Sequence, residues 1–175
     1  DYFTVQVENY ERVRRLIETC EKEGLIPEDK MILFSQPPKP YEEQIYKLYL
    51  VDKKPIATGE GLRSAVAIPD PNNPPNWKIL FEFNNAAGAL FGDATEKNIN
   101  KPMAIVLDGM VCSAPVIRDR ITTRGEITGN FEQAEATDLA IALNSGSMFV
   151  PVKEEFTRIV GASLGADAIH KSVVS

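Results

Sequence analysis

The chain has 175 residues, 43% hydrophobic and 25% charged, with 12 Pro, 11 Gly, 2 Cys and a single His. This is globular composition, and it excludes a disordered, collagen-like or disulfide-framework protein. Nineteen Lys and Arg against 25 Asp and Glu leave a net charge of -6; with no basic stripe to neutralise a phosphate backbone, nucleic acid is not an expected partner.

Phe3-Thr-Val-Gln-Val7 alternates as a half-buried strand does, and a helix is expected after it. Asn9 is its candidate N-cap, Tyr10, Val13, Leu16, Ile17 and Cys20 recur at helical spacing, and Gly24 supplies the stop. Met31–Phe34 and Ile45–Val51 read as strands separated by the proline-bounded loop Ser35 to Glu43. Pro69-Asp-Pro-Asn-Asn-Pro-Pro75 holds no run that can be buried, and the chain is divided there. Beyond it, Trp77–Phe83 reads as a strand, followed by a helix capped at Asn84 or Asn85 that turns Ala86, Ala89, Leu90 and Phe91 to a core. Met103–Leu107 and Met110–Cys112 are joined by Asp108-Gly109, two residues that tolerate the positive φ of a tight hairpin turn. Ile127–Gly129 adds a short strand, residues 132 to 144 a helix stopped at Gly146, and Phe149–Val152 an edge strand, because Pro151 lacks an amide donor. From residue 77 the order is β-α-β-β-α-β. The expected fold class is therefore α+β, with a ferredoxin-like split βαβ base, an antiparallel sheet with helices on one face, plus a smaller α+β subdomain.

The residues offer no constellation for catalysis. His170 stands near the chain end, Asp93 and Glu96 form an ordinary one-turn surface pair, as do Asp167 and His170, and no glycine-rich phosphate loop is present. Cys20 and Cys112 belong to no Cys-x-x-Cys or Cys/His cluster and read as unpaired, buried thiols. No catalytic residue, cofactor or metal is expected. No stretch reaches the ~20 apolar residues of a membrane-spanning helix. The mid-strand start and the unpunctuated end, Lys171–Ser175, suggest a piece of something longer. The residues alone lead to an α+β binding or interaction module.

Lys101-Pro-Met-Ala-Ile-Val-Leu-Asp-Gly109, Ser113-Ala-Pro-Val-Ile117, Ile127-Thr-Gly-Asn-Phe131 with Glu135-Ala136 and Leu139-Ala140, then Val160-Gly161 and Leu164-Gly-Ala-Asp-Ala-Ile169, resemble the SecD protein-export family, including its fused SecDF form. Pro55-Ile-Ala-Thr-Gly-Glu60 is similar to the family's threonine-glycine turn. Met110 stands where the family commonly has a charge after the hairpin turn. The resemblance implies an inner-membrane protein whose first periplasmic domain this chain represents, on the extracytoplasmic side, between transmembrane helices that lie outside it. It implies a non-enzymatic accessory to the Sec translocon that binds unfolded preprotein transiently during proton-gradient-assisted export, with SecF and a SecYEG-type channel as partners. The alternative is a free-standing small-molecule or peptidoglycan-binding module of ferredoxin-like fold.

On this reading residues 1–68 are a head-like subdomain, 69–76 a hinge, 77–160 the ferredoxin-like base and 161–175 a membrane-proximal connector. Asp108, Gly109, Ala114, Pro115, Gly129, Gly161, Leu164 and Gly165 are the motif positions, each read as structural. The expected polypeptide contact is in residues 1–68, through Tyr41, Tyr46 and Tyr49 on an exposed strand edge that takes an extended chain by strand addition.

Overall fold

The structure, a computed structural model, describes residues 2–146, 148–152 and 169–172. It is a mixed α/β chain with three small antiparallel sheets, and its backbone divides into two compact units. The first gathers Asp1–Lys54, Gly109–Val111 and Val152–Ser175. Its sheet joins β1 (Tyr2–Gln6), β2 (Lys30–Phe34), β3 (Ile45–Asp52) and β10 (Ile169–Ser172) in the order β10-β1-β3-β2. Helix α1 (Tyr10–Lys22) buries Val13, Ile17 and Cys20, one stripe at helical spacing, against Val5, Leu48 and Leu50. Its opposite face is charged, with Arg14 between Glu11 and Glu18. Gly24 then takes φ +69, the left-handed conformation that ends a helix cheaply only for glycine. Lys30 reaches Asp52 at 2.7 Å and also binds Asp29, and these two carboxylates hold its ammonium above the usual lysine range.

The second unit comprises Pro55–Asp108 and Cys112–Pro151. One of its sheets contains β4 (Leu62–Pro69), β5 (Trp77–Phe83) and β8 (Arg124–Phe131) in the order β4-β5-β8. The other contains β6 (Met103–Leu107), β7 (Met110–Ser113) and β9 (Met148–Pro151) in the order β7-β6-β9, with the first residues of β7 counted in the first unit. Helix α2 (Asn85–Lys97) starts where the Asn84 side chain accepts from the Ala87 amide at 2.9 Å. Helix α3 (Gln133–Asn144) starts on a capping box, the Glu135 carboxylate accepting from the Glu132 amide at 3.0 Å. Leu139, Ala140 and Leu143 of α3 join Ile79, Phe81, Phe83, Ile105 and Phe149 in the core of this unit.

Three expectations change. The strands beyond residue 77 do not share one split βαβ sheet. A strand has only two edges, and those of β5 are taken by β4 and β8, so β6 pairs separately with β7 and β9. Strand β4 was not expected at all, and it pairs with β5 from Leu62↔Phe83 to Pro69↔Trp77. The proline-rich stretch after it is thus a loop inside the second unit, whereas the compact units part after Lys54. Finally, α2 buries Gly88, Phe91, Gly92 and Thr95, leaving Leu90 64% exposed and Ala86 and Ala89 outside. A Cβ on Gly88 would stand 2.8 Å from Thr123 and one on Gly92 3.1 Å from Thr122, so glycine lets the segment before β8 lie directly on the helix.

Candidate functional site

The second unit is built around aromatic rings. Phe81 and Phe83 project from β5, Phe91 from α2 and Phe149 from β9, with centroids 4.8–6.0 Å apart and mostly edge-to-face. Three of them, Phe81, Phe91 and Phe149, floor a cleft of about 660 Å³, together with Met103 and Ile105 of β6. That volume lies within the range of sites that enclose a ligand, roughly 300–1,000 Å³.

Two backbone segments form its walls, each contributing a continuous run of residues. Gly125 to Asn130 of β8 make one, Pro115 to Asp119 the other. Each run belongs to a segment at the edge of its sheet. β8 closes the order β4-β5-β8, and among the described residues no strand pairs along its other side. The second wall continues β7. Met103 donates its amide to the Pro115 carbonyl at 2.9 Å and Ile117 donates to the Lys101 carbonyl at 3.0 Å, with Pro102 bridged to Val116. Because Pro115 and Ile117 turn their backbone groups to that partner, Val116 between them turns its own away, and its side chain is 52% exposed.

A buried hydroxyl fixes this wall. Thr95 Oγ1 donates to the Phe91 carbonyl at 2.8 Å and accepts from the Ile121 amide at 2.9 Å, and Arg120 pairs with Asp93 and Glu96 of the same helix. The loop between β4 and β5 adds the buried Asp70 and the exposed Asn72 and Asn73 to the lining. Glu126 of β8 holds Lys78 Nζ at 2.7 Å, which raises the lysine above its ordinary pKa. An apolar floor between two exposed backbone edges suits binding. Among the described residues no group of three His, Cys, Asp or Glu gathers at metal-ligand distance.

The positions singled out in sequence fall in different places. Asp108 and Gly109 occupy the two turn positions between β6 and β7, with φ +51 and +76. Ala114 follows β7, while Pro115 and Gly129 stand on facing walls of the cleft. Gly161, Leu164 and Gly165 lie outside the described residues. The tyrosines expected on an exposed edge are mostly inside. Tyr41 is 81% exposed, but Tyr46 and Tyr49 are each 8% exposed. The reason is topological: β3 has β1 on one side and β2 on the other and offers no edge. Tyr46 instead stacks within 4.7 Å of Tyr10, and burial pushes its hydroxyl pKa up. Neither cysteine forms a disulfide; Cys20 is buried, and partial burial raises the Cys112 thiol.

Sequence reasoning missed the phenylalanine floor and Val116. The available signal was Gly125-Glu-Ile-Thr-Gly129, two glycines in one strand, which marks a bulge or a close backbone approach. The β5–β8 register does shift between Trp77 and Ile79, opposite Gly129.

Residues 33–150, more than half of the chain, match the family model for SecDF, P1 head subdomain. This match crosses the boundary expected at 69–76 and takes in residues 77–150, which the resemblance assigned to the base. The protein translocase subunit SecD of Aquifex aeolicus is 47% identical over 125 residues, covering 71% of this chain and 25% of that protein. The SecD subunit of Calditerrivibrio nitroreducens is 42% identical over 156 residues, covering 87% of this chain and 30% of that protein. The chain thus spans less than a third of the length of these relatives. A solved structure of SecDF, a membrane component that enhances protein export, is 28% identical, with a TM-score of 0.44 over 87% of this chain and 66% of that one.

Proposed function

The chain belongs to the SecD family of protein translocase subunits, carrying the SecDF P1 head subdomain over residues 33–150, and from this we propose that it binds unfolded preprotein transiently as an accessory to the Sec translocon. The binding site is the cleft of the second unit. The domain works on the periplasmic side of the inner membrane, held there by flanking transmembrane helices of the longer protein. Its partners through that protein are SecF and a SecYEG-type channel. The proton gradient acts through the membrane part, and this domain contributes capture and release without catalysing a reaction.

The observation that carries the reading is the cleft itself, about 660 Å³ with three phenylalanines at its floor and backbone edges for walls. Apolar side chains and peptide groups are what every unfolded segment has in common, so such a site takes many sequences. Release requires weak affinity, roughly micromolar or poorer.

Fluorescence anisotropy tests this with a labelled preprotein kept unfolded and the same preprotein folded. The unfolded form should bind and the folded form should not. Val116→Asp puts a charge at an exposed wall position, which spares the fold, and should weaken binding roughly ten-fold. Equal affinity for both forms, or indifference to Val116→Asp, would overturn the assignment.

A further inference from the structure

Resting on that reading, we infer that the cleft holds its polypeptide as an added β-strand between β8 and residues 115–117, and that it selects segments with apolar side chains at alternate positions and basic rather than acidic flanks. The two walls are the outer edges of the two sheets of the second unit. β8 ends one sheet, and the 115–117 segment continues β7, the outermost strand of the other, past Val111, whose outer side pairs with Ser35 and Gln36. A strand lying between them meets peptide groups on both sides: those of β8 from Gly125 to Asn130, a length of roughly 20 Å at about 3.3 Å per residue, and those of Val116. It joins the two sheets through itself.

Side-chain selection follows from the period of a strand. Successive side chains of the guest point to opposite faces, so one set descends onto Phe81, Phe91 and Phe149 while the other points to the mouth. The floor therefore reads every second residue and ignores those between. Gly125 contributes by lacking a side chain, since a Cβ there would collide with the Phe81 ring.

Charge sets the flanks. The ionisable residues lining the cleft are Asp70, Asp119 and Glu126 against Arg118. Lys78 neutralises Glu126 at 2.7 Å, which leaves one negative charge in excess on a chain of net charge -6. Lysine flanks are favoured over glutamate flanks, by an amount that falls as salt screens it.

The test uses the chain and synthetic eight-residue peptides with leucine at alternate positions, unmodified or N-methylated on one set of alternate amides. N-methylation removes the donors of a strand and leaves its side chains in place. The expected result is roughly a thirty-fold loss of affinity for at least one of the two methylated registers, since two hydrogen bonds disappear at about 1 kcal/mol each and about 1.4 kcal/mol is ten-fold. A peptide of the same composition with its leucines consecutive should bind more weakly than the alternating one, and Lys flanks should bind more tightly than Glu flanks at low salt. If the unmodified peptide binds and both methylated registers stay within two-fold of it, strand addition is wrong while polypeptide capture by the cleft stands. Equal binding of the alternating and consecutive peptides, or tighter binding of the Glu-flanked one, overturns the selection. If no peptide binds, both fail.

Discussion

Gly109 and Gly125 show two different reasons for a glycine. Gly109 has φ +76 and nothing within 4 Å of where a Cβ would stand, so its demand is on the backbone alone. Gly125 has no positive φ; its Cβ would meet the Phe81 ring and stand 2.6 Å from Ile121, so its demand is on space. Gly109→Val should lower stability by roughly 1–2 kcal/mol, the cost of left-handed backbone for a side-chain-bearing residue, and leave polypeptide binding intact. Gly125→Ala should cost about 1–3 kcal/mol by overpacking and also weaken binding, because it crowds the floor of the cleft. Urea unfolding with a parallel anisotropy titration separates the two. An unchanged midpoint for Gly109→Val would contradict the turn geometry. The first glycine is legible in sequence because Asp-Gly between two apolar runs is a local signal. The second is not, because its reason lies in Phe81, a residue of another strand. The tyrosines fail in the same way: an aromatic at strand spacing reads alike on an edge and between two neighbours, and only the sheet order of the first unit decides.

At the scale of elements, helices were easier to read than strands. Apolar period and a glycine stop place α1 and α3, and the Asn84 cap places α2, since these signals are written within a few residues; Asn9, the expected cap of α1, makes no side-chain capping hydrogen bond. The buried face of α2 is legible only in part: Phe91 is buried as its apolar period implies, but Leu90 is exposed and the rest of the packed face is Gly88, Gly92 and Thr95. β4 is hidden in the sequence because Ala65, Val66, Ala67 and Ile68 are apolar on both faces, Val66 being exposed beside buried Ala65, so no alternation marks the strand. Thr95 ties α2 to a cleft wall through the Ile121 amide. Thr95→Val keeps the shape and removes the acceptor, leaving that partly buried amide unmet, at a cost of about 1 kcal/mol. Thr95→Ser retains the hydroxyl and should restore most of it. Hydrogen exchange at Ile121 should quicken in the valine variant and not in the serine one; equal protection in both would mean that Thr95 does not anchor the wall.

On the scale of the whole molecule, the chain order conceals the units. The first unit draws on residues before Lys54, on Gly109–Val111 and on residues from Val152, so no single composition break marks its limits. A proline-rich stretch looked like a hinge and is the loop between two paired strands. The family was legible in sequence, because its ordered motifs survive as residues; the cleft was not, because β5, α2, β6, β8 and β9 each give it only one or two of its side chains or an edge. The most direct measurement places a photo-crosslinker at Val116 in one variant and at Tyr41 in another, each incubated with a preprotein held unfolded. Both positions are exposed, 52% and 81%, so accessibility does not favour the first. Polypeptide capture by the cleft predicts strong adducts from Val116 and few from Tyr41. Adducts formed equally from both, or preferentially from Tyr41, would contradict it.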